Sequence, residues 1–183
     1  MTIIKITVFL LLTLVCFGST ACLPNTGHTL AAFDVEMKMA EQAELKKDYV
    51  EAAQHYRSAL EIAENGNWNG GIVTAKQNLA SIYSINREYE KAEKSLSEAG
   101  TVCKSDPSCQ GLHTIYDQQV YFYVFDHRDI GKALFVIDEA IENRNRLEQG
   151  VTISQKLEKY TDELRMAGFA EEARIVSERR SKY

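Results

Sequence analysis

Two cysteines six positions apart, Cys103 and Cys109 in CKSDPSC, are followed four residues later by His113. Such a trio could begin a zinc site, but a closed zinc site takes four ligands and the sequence supplies only these three nearby. In an oxidising compartment, two cysteines closing a short loop around Pro107 form a disulfide instead. Loop closure of this size is worth about 2 to 3 kcal/mol. His28, His55 and His127 are scattered, and none forms a helical pair with another His or Cys. Acidic pairs such as Glu171 and Glu172 fall on solvated helix faces, and no Ser, Cys or Lys comes with a recognisable base. These residues imply no catalysis, no metal and no cofactor.

HRDIGKAL from His127 resembles the catalytic loop of protein kinases. The glycine-rich loop, the downstream metal-binding Asn and the second metal-binding Asp motif of that family are missing. Asp129 is therefore expected to cap the helix that follows.

A different chemistry is written near the start. Residues 1–21 carry one positive charge, Lys5, then an apolar run from Ile6 to Phe17 and the small residues Gly18, Ser19, Thr20 and Ala21. That order is a secretory signal, and the run is shorter than the ~20 apolar residues of a membrane-spanning helix. Leu23-Pro24-Asn25-Thr26-Gly27 resembles a sortase motif, but that motif works near the C-terminus ahead of an apolar stretch, and EEARIVSERRSKY has none. Thr20 and Ala21 before Cys22 resemble the end of a bacterial lipobox, with Ser19 where that pattern usually has Leu. Cysteine arithmetic agrees: Cys16 leaves with the signal, and a lipidated Cys22 leaves Cys103 and Cys109 as a pair. Ordinary cleavage after Ala21 fits the same small residues and stays open. Leu23, rather than Asp, after the cysteine resembles the pattern sent on to the outer membrane. The expectation is a chain anchored by lipid on Cys22 in the bacterial envelope, at the outer membrane facing the periplasm, or otherwise free in the periplasm.

These groups must be carried by something, and the composition says by helices. The 183 residues are 45% hydrophobic and 26% charged, with a net charge of -5 that does not favour nucleic acid. Only Pro24 and Pro107 interrupt the chain, and from Ala31 the apolar residues fall at helical spacing, as in Ala52, Ala53, Tyr56, Ala59, Leu60 and Ala63. Four segments then align with one another. Tyr49, Tyr89, Ile130 and Ala170 recur at intervals of 40, 41 and 40 residues, each followed three residues later by an alanine: Ala52, Ala92, Ala133 and Ala173. A further residue comes four beyond (Tyr56, Leu96, Ile137, Ser177), and Ala59, Ala99 and Ala140 follow in three of the four. Upstream of each turn is a partner helix, marked by Met39, Ala40 and Ala43; Leu79, Ala80 and Tyr83; Val120, Tyr121 and Val124; and Tyr160, Thr161 and Leu164. Small residues let two helices approach, and a bulky one fills the gap a turn later. Asp48 and Glu51 have capping-box spacing at the first of these helices.

This pattern resembles the tetratricopeptide repeat over residues 31–181, most closely in LASIYSINREYEKAEKSLSEA from Leu79 to Ala99. The interval resembles the longer form of that repeat found in kinesin light chains rather than the common ~34 residues. Lys47, Arg87 and Arg128 stand where the family usually has glycine before the turn. The expected architecture is an all-α solenoid of four antiparallel helix pairs, preceded by a signal at 1–21 and a linker at 22–30. Trp68, in the breaker-rich stretch ENGNWNGG, is expected to pack over the first pair.

The resemblance implies a binding module whose concave face is lined by the first helix of each pair. Carried over residue by residue, that face takes Asp34, Met37, Glu41 and Glu44; Thr74, Gln77, Ser81 and Ser84; Ile115, Gln118, Phe122 and Phe125; and Gln155, Glu158, Asp162 and Arg165. The Lys, Arg and Asn clamp for a terminal carboxylate is matched only near Asn78 and Lys159 and is set aside. Met37, Glu41, Gln77, Ser81, Gln118, Phe122 and Phe125 are the expected contacts to a protein or peptide partner. In the second reading, an envelope sensor holds a small apolar molecule at Phe122 and Phe125, in the aromatic run YFYVF. Only RRSKY follows the fourth pair, so Ala173, Ile175 and Val176 are expected to be partly exposed.

Overall fold

The computed structural model describes residues 26–146 and 151–183. Cys22 and the expected signal lie outside them. The chain folds as α1 (Thr26–Leu45), α2 (Tyr49–Asn65), α3 (Asn69–Ile85), α4 (Tyr89–Ser105), α5 (Leu112–Tyr121), a π-helical turn (Phe122–Asp126), α6 (Ile130–Glu142), a 3-10 turn (Arg144–Arg146), α7 (Ile153–Met166) and α8 (Ala170–Arg180). No strand occurs among the described residues. Helices α1/α2, α3/α4, α5/α6 and α7/α8 form four consecutive antiparallel pairs, and each pair packs on the next to give an all-α solenoid-like fold.

The alanines make the close approaches. Ala52, Ala59, Ala63, Ala92, Ala99, Ala133, Ala140 and Ala173 are all at most 2% exposed, and Tyr56, Leu96 and Ile137 fill the gaps beside them. In α8 the equivalent Ser177 faces solvent, and Val176 takes the buried place. One core cluster runs unbroken from α3 to α8, and two smaller ones join the first repeat to α3.

Repeat length resides in the helices. Helices α2, α3 and α4 have 17 residues each, and the links between them are tight turns. The turns at Lys47, Arg87 and Gly168 share one geometry: a left-handed residue (φ 61°, 61° and 92°) whose successor donates its N–H to the carbonyl of Ala43, Tyr83 or Leu164 at 2.8–2.9 Å. Arg128 adopts the same left-handed backbone in the third repeat, and Asn67 does so between α2 and α3. The ends of α1, α3 and α7 are thus closed in the same way whether or not the residue is glycine.

Three expectations need correction. Helix α1 begins at Thr26, so residues 26–30 are helix rather than linker. A helix propagates cheaply beyond its first fully buried residue, here Phe33, until a breaker such as Pro24 is near. Ala173 and Val176 are 2% and 0% exposed, and Ile175 is half-buried. Helix α8 turns Ala173 and Val176 inward and forms its own polar cap, with Arg174 bound to Glu171 and Glu178 on the outer side. Tyr121 does not occupy the small-residue place of Ala40 and Ala80; Val120 does, at 0% exposure, for a reason described below.

Candidate functional site

The first helices α3, α5 and α7 lie side by side and frame a groove. At its midpoint Gln77 donates its side-chain N–H to Gln118 (2.8 Å) and Thr114 (3.3 Å), a polar bridge from α3 to α5. A cavity opens on each side of this bridge. Toward the helix N-termini, 590 Å³ lie between the Trp68 turn and the loop at Asp106–Gly111. Toward the C-termini, 450 Å³ are lined by Ser81, Ser84 and Ile85 of α3, Asp117, Gln118 and Tyr121 of α5, Phe122 and Asp126 of the π turn, and Lys159 and Glu163 of α7.

The N-terminal cavity is bounded by rigid parts. Trp68 packs edge-on against Phe33 at 4.8 Å between ring centroids, over the first pair. Gly71 permits this: a Cβ there would stand 2.5 Å from the indole and 2.9 Å from the Ala63 methyl. On the far wall Cys103 and Cys109 are joined in a disulfide, with Cα atoms 5.2 Å apart. Arg146, from the turn after α6, donates to the carbonyls of Cys103, Lys104 and Asp106 at 2.8–2.9 Å and so caps α4. Asp106 accepts from Ser108 and Asn69, which holds its carboxyl below the usual range and ties the loop to α3.

The C-terminal cavity owes its shape to the π turn. Ala40, Ala80, Val120 and Tyr160 keep intervals of 40, but Ala43, Tyr83, Val124 and Leu164 run 40, 41 and 40. In repeat three the helix ends in a π turn, where His127 N–H reaches the Phe122 carbonyl at 2.8 Å. Counting back from the turn as if the helix were α-helical throughout places its first groove position one residue late. Ile115, expected on the groove, is fully buried, and the exposed residue is Thr114. Phe122, expected as a partner contact, is 3% exposed and packs on Tyr89, Tyr123 and His127 as the cavity floor. Tyr121 turns outward, 51% exposed, and lies against half-buried Phe125 at 4.8 Å.

Gln77, Ser81 and Gln118 line the groove as expected from the sequence. Met37 is half-buried against the first-repeat core, and Glu41 is exposed on α1; neither lines these cavities. Asp117 and Glu163 were missed, because their importance comes from the neighbouring helix. Lys156 (2.6 Å), Lys159 (2.8 Å) and the Tyr160 hydroxyl (2.9 Å) converge on the Asp117 carboxylate and brace α5 to α7. Burial pushes Asp117 up, but these three hydrogen bonds outweigh it and its carboxyl lies below the ordinary range. Glu163 is raised by burial, and the Asp117 charge adds to the rise while Lys159 opposes it. Asp129 caps α6 by accepting from Lys132 N–H (3.0 Å). Among the described residues, no cluster of His, Cys, Asp and Glu is placed to hold a metal, and no helix is long and apolar enough to cross a membrane.

No family profile matches the chain. Over 152 residues it is 25% identical to a protein named transcriptional activator NprA from Geobacillus stearothermophilus, an alignment covering 81% of this chain and 34% of that protein. The chain thus spans little more than a third of the length of that relative. Its backbone is similar to the crystal structure of BtubC (BKLC) from P. vanneervenii, with a TM-score of 0.62 and 22% identity over 82% of this chain and 62% of that one. At that identity the likeness establishes the fold, a helical solenoid.

Proposed function

We propose that this chain is a non-catalytic binding module of the tetratricopeptide type, exported and held at the bacterial envelope by lipid on Cys22, which takes a protein or peptide segment into the groove between α3, α5 and α7. The observation that carries the reading is the groove itself. Its two cavities lie on either side of the Gln77–Gln118 bridge, whose side-chain amides a peptide backbone can replace as partners. Similarity to a part of NprA, a protein named as a transcriptional activator, supports a regulatory or adaptor role for such a repeat segment. The anchor rests on the residues before Cys22 and on the disulfide between Cys103 and Cys109, which leaves Cys22 as the unpaired thiol of the exported chain.

Two measurements test it. Intact mass of the protein from native membranes shows diacylglyceryl or triacyl Cys22 at the N-terminus, and Cys22→Ala abolishes that form; an unmodified Cys22 removes the anchor from the account. Affinity purification with Ser81→Trp, which fills the groove, loses the partner recovered by the wild type, whereas Phe135→Ser on exposed α6 surface retains it. Equal recovery with Ser81→Trp excludes the groove.

A second reading, a sensor for a small apolar molecule, is favoured by the 450 Å³ volume, which lies in the small-ligand range. Three carboxylates in the same wall, Asp117, Asp126 and Glu163, argue for a ligand with polar or cationic groups.

A further inference from the structure

The C-terminal cavity has two unlike walls, and their chemistry specifies a ligand group. One wall is apolar, formed by Ile85, Tyr121 and the floor residue Phe122. The other carries Asp117 and Glu163 on facing helices. Asp117 is fully engaged by Lys156, Lys159 and Tyr160. Glu163 is not. It is 7% exposed, one carboxylate oxygen has no hydrogen-bond partner, and the other lies 3.8 Å from Lys159 Nζ, beyond hydrogen-bond reach.

A carboxylate held out of water without a hydrogen bond, and with its one cation at 3.8 Å, is costly, and the cost is recovered when a donor arrives. Lys159, held on Asp117 at 2.8 Å, approaches Glu163 only to 3.8 Å and leaves room for a closer donor. The terminal torsion of glutamate is broad, so either oxygen can turn toward a group entering the cavity. A long apolar stem laid along Tyr121 and Ile85, ending in a cation at Glu163, meets both walls at once. The half-exposed Tyr121 ring adds a face on which such a cation is attracted.

We propose that this cavity is a subsite for a lysine or arginine side chain of the bound segment, with Glu163 as its acceptor and Tyr121 as its apolar shelf. The inference rests on the peptide-binding reading above. It extends that reading from a groove of unspecified taste to one that selects a cationic side chain with an aliphatic stem. The net charge of -5 gives the whole chain the complementary sign.

The test is selection of phage-displayed random heptapeptides on the full chain, followed by synthesis of a selected peptide and measurement of its affinity by fluorescence anisotropy. Selected peptides carry Lys or Arg beside an apolar residue. Replacing that cation by norleucine, or making Glu163→Gln, weakens binding by about tenfold or more. The two losses do not add when combined, while Glu61→Gln on exposed α2 surface changes nothing. The norleucine peptide decides the matter even where a Glu163 variant folds poorly. Peptides that bind in the groove with no cation dependence, or losses that add, overturn the subsite and leave the groove standing. A selection yielding no peptide displaced by Ser81→Trp overturns both.

Discussion

Asp117 and Glu163 face one another across α5 and α7, and they respond to pH in opposite senses. The folded-state value of Asp117 is depressed, so its contribution to stability is present above the unfolded value, near ~3.9, and is lost as pH falls through the lower folded value. Melting temperature should fall on acidification below about pH 4. Asp117→Asn should lose about 2 to 3 kcal/mol at pH 7 and flatten that acid limb. Glu163 is raised, so its contribution is full below the unfolded value and lost as pH rises through the folded one. Glu163→Gln should therefore melt above the wild type at pH 7, with the gap closing near pH 4. Equal melting at both pH values would mean that Glu163 is solvated. Neither carboxylate was legible in the sequence, where Asp117 is one acid among 26 and its three donors stand about forty positions away. The turn residues were half legible. Lys47 and Arg87 occupy the family's glycine positions, and the backbone there is left-handed despite the side chains. Lys47→Gly and Arg87→Gly should each stabilise by about 0.5 to 1 kcal/mol, read as a rise in denaturation midpoint; destabilisation would show that those side chains make contacts worth more than the strain.

At the scale of the element, the π turn decides what the groove presents. The widened end of the helix at Phe122–Asp126 goes with Tyr121 turned out and Phe122 turned in, the shelf and floor of the C-terminal cavity. The sequence carried the signal as an interval of 41 among 40s. It did not say that the helix widens there, because YFYVF is apolar on every side and any register looks equally good. The helix starts were easier to read: Asp48 and Asp129 cap α2 and α6 by accepting from Glu51 and Lys132 N–H at 3.0 Å. Thr152 and Gln155 form a full capping box at the start of α7. Gly71 is the element-scale residue most open to test. Gly71→Ala should cost about 1 to 3 kcal/mol by overpacking, pushing Trp68 off Phe33. Because Trp68 is the only tryptophan, its emission should shift to longer wavelength. Unchanged emission and stability would show that the indole has room to move.

For the whole molecule, repetition was the strongest signal. The four alanine-marked segments foretold four helix pairs, because a helix pair with one small-residue face cannot bury that face alone and must stack on its neighbours. Closure of the far end was not foretold: the burial of Ala173 and Val176 depends on α8 supplying a charged outer face, which only the folded arrangement reveals. The same stacking creates the groove, and the central claim is that a protein segment occupies it. The most direct measurement is photo-cross-linking in living cells of the native host, with a benzophenone side chain at Ser81 inside the groove or at Phe135 on the exposed surface of α6. The account predicts one discrete protein adduct from Ser81, absent from Phe135 and suppressed by Tyr121→Ala. Adducts of the same pattern and yield from both positions, or none from Ser81, would contradict it.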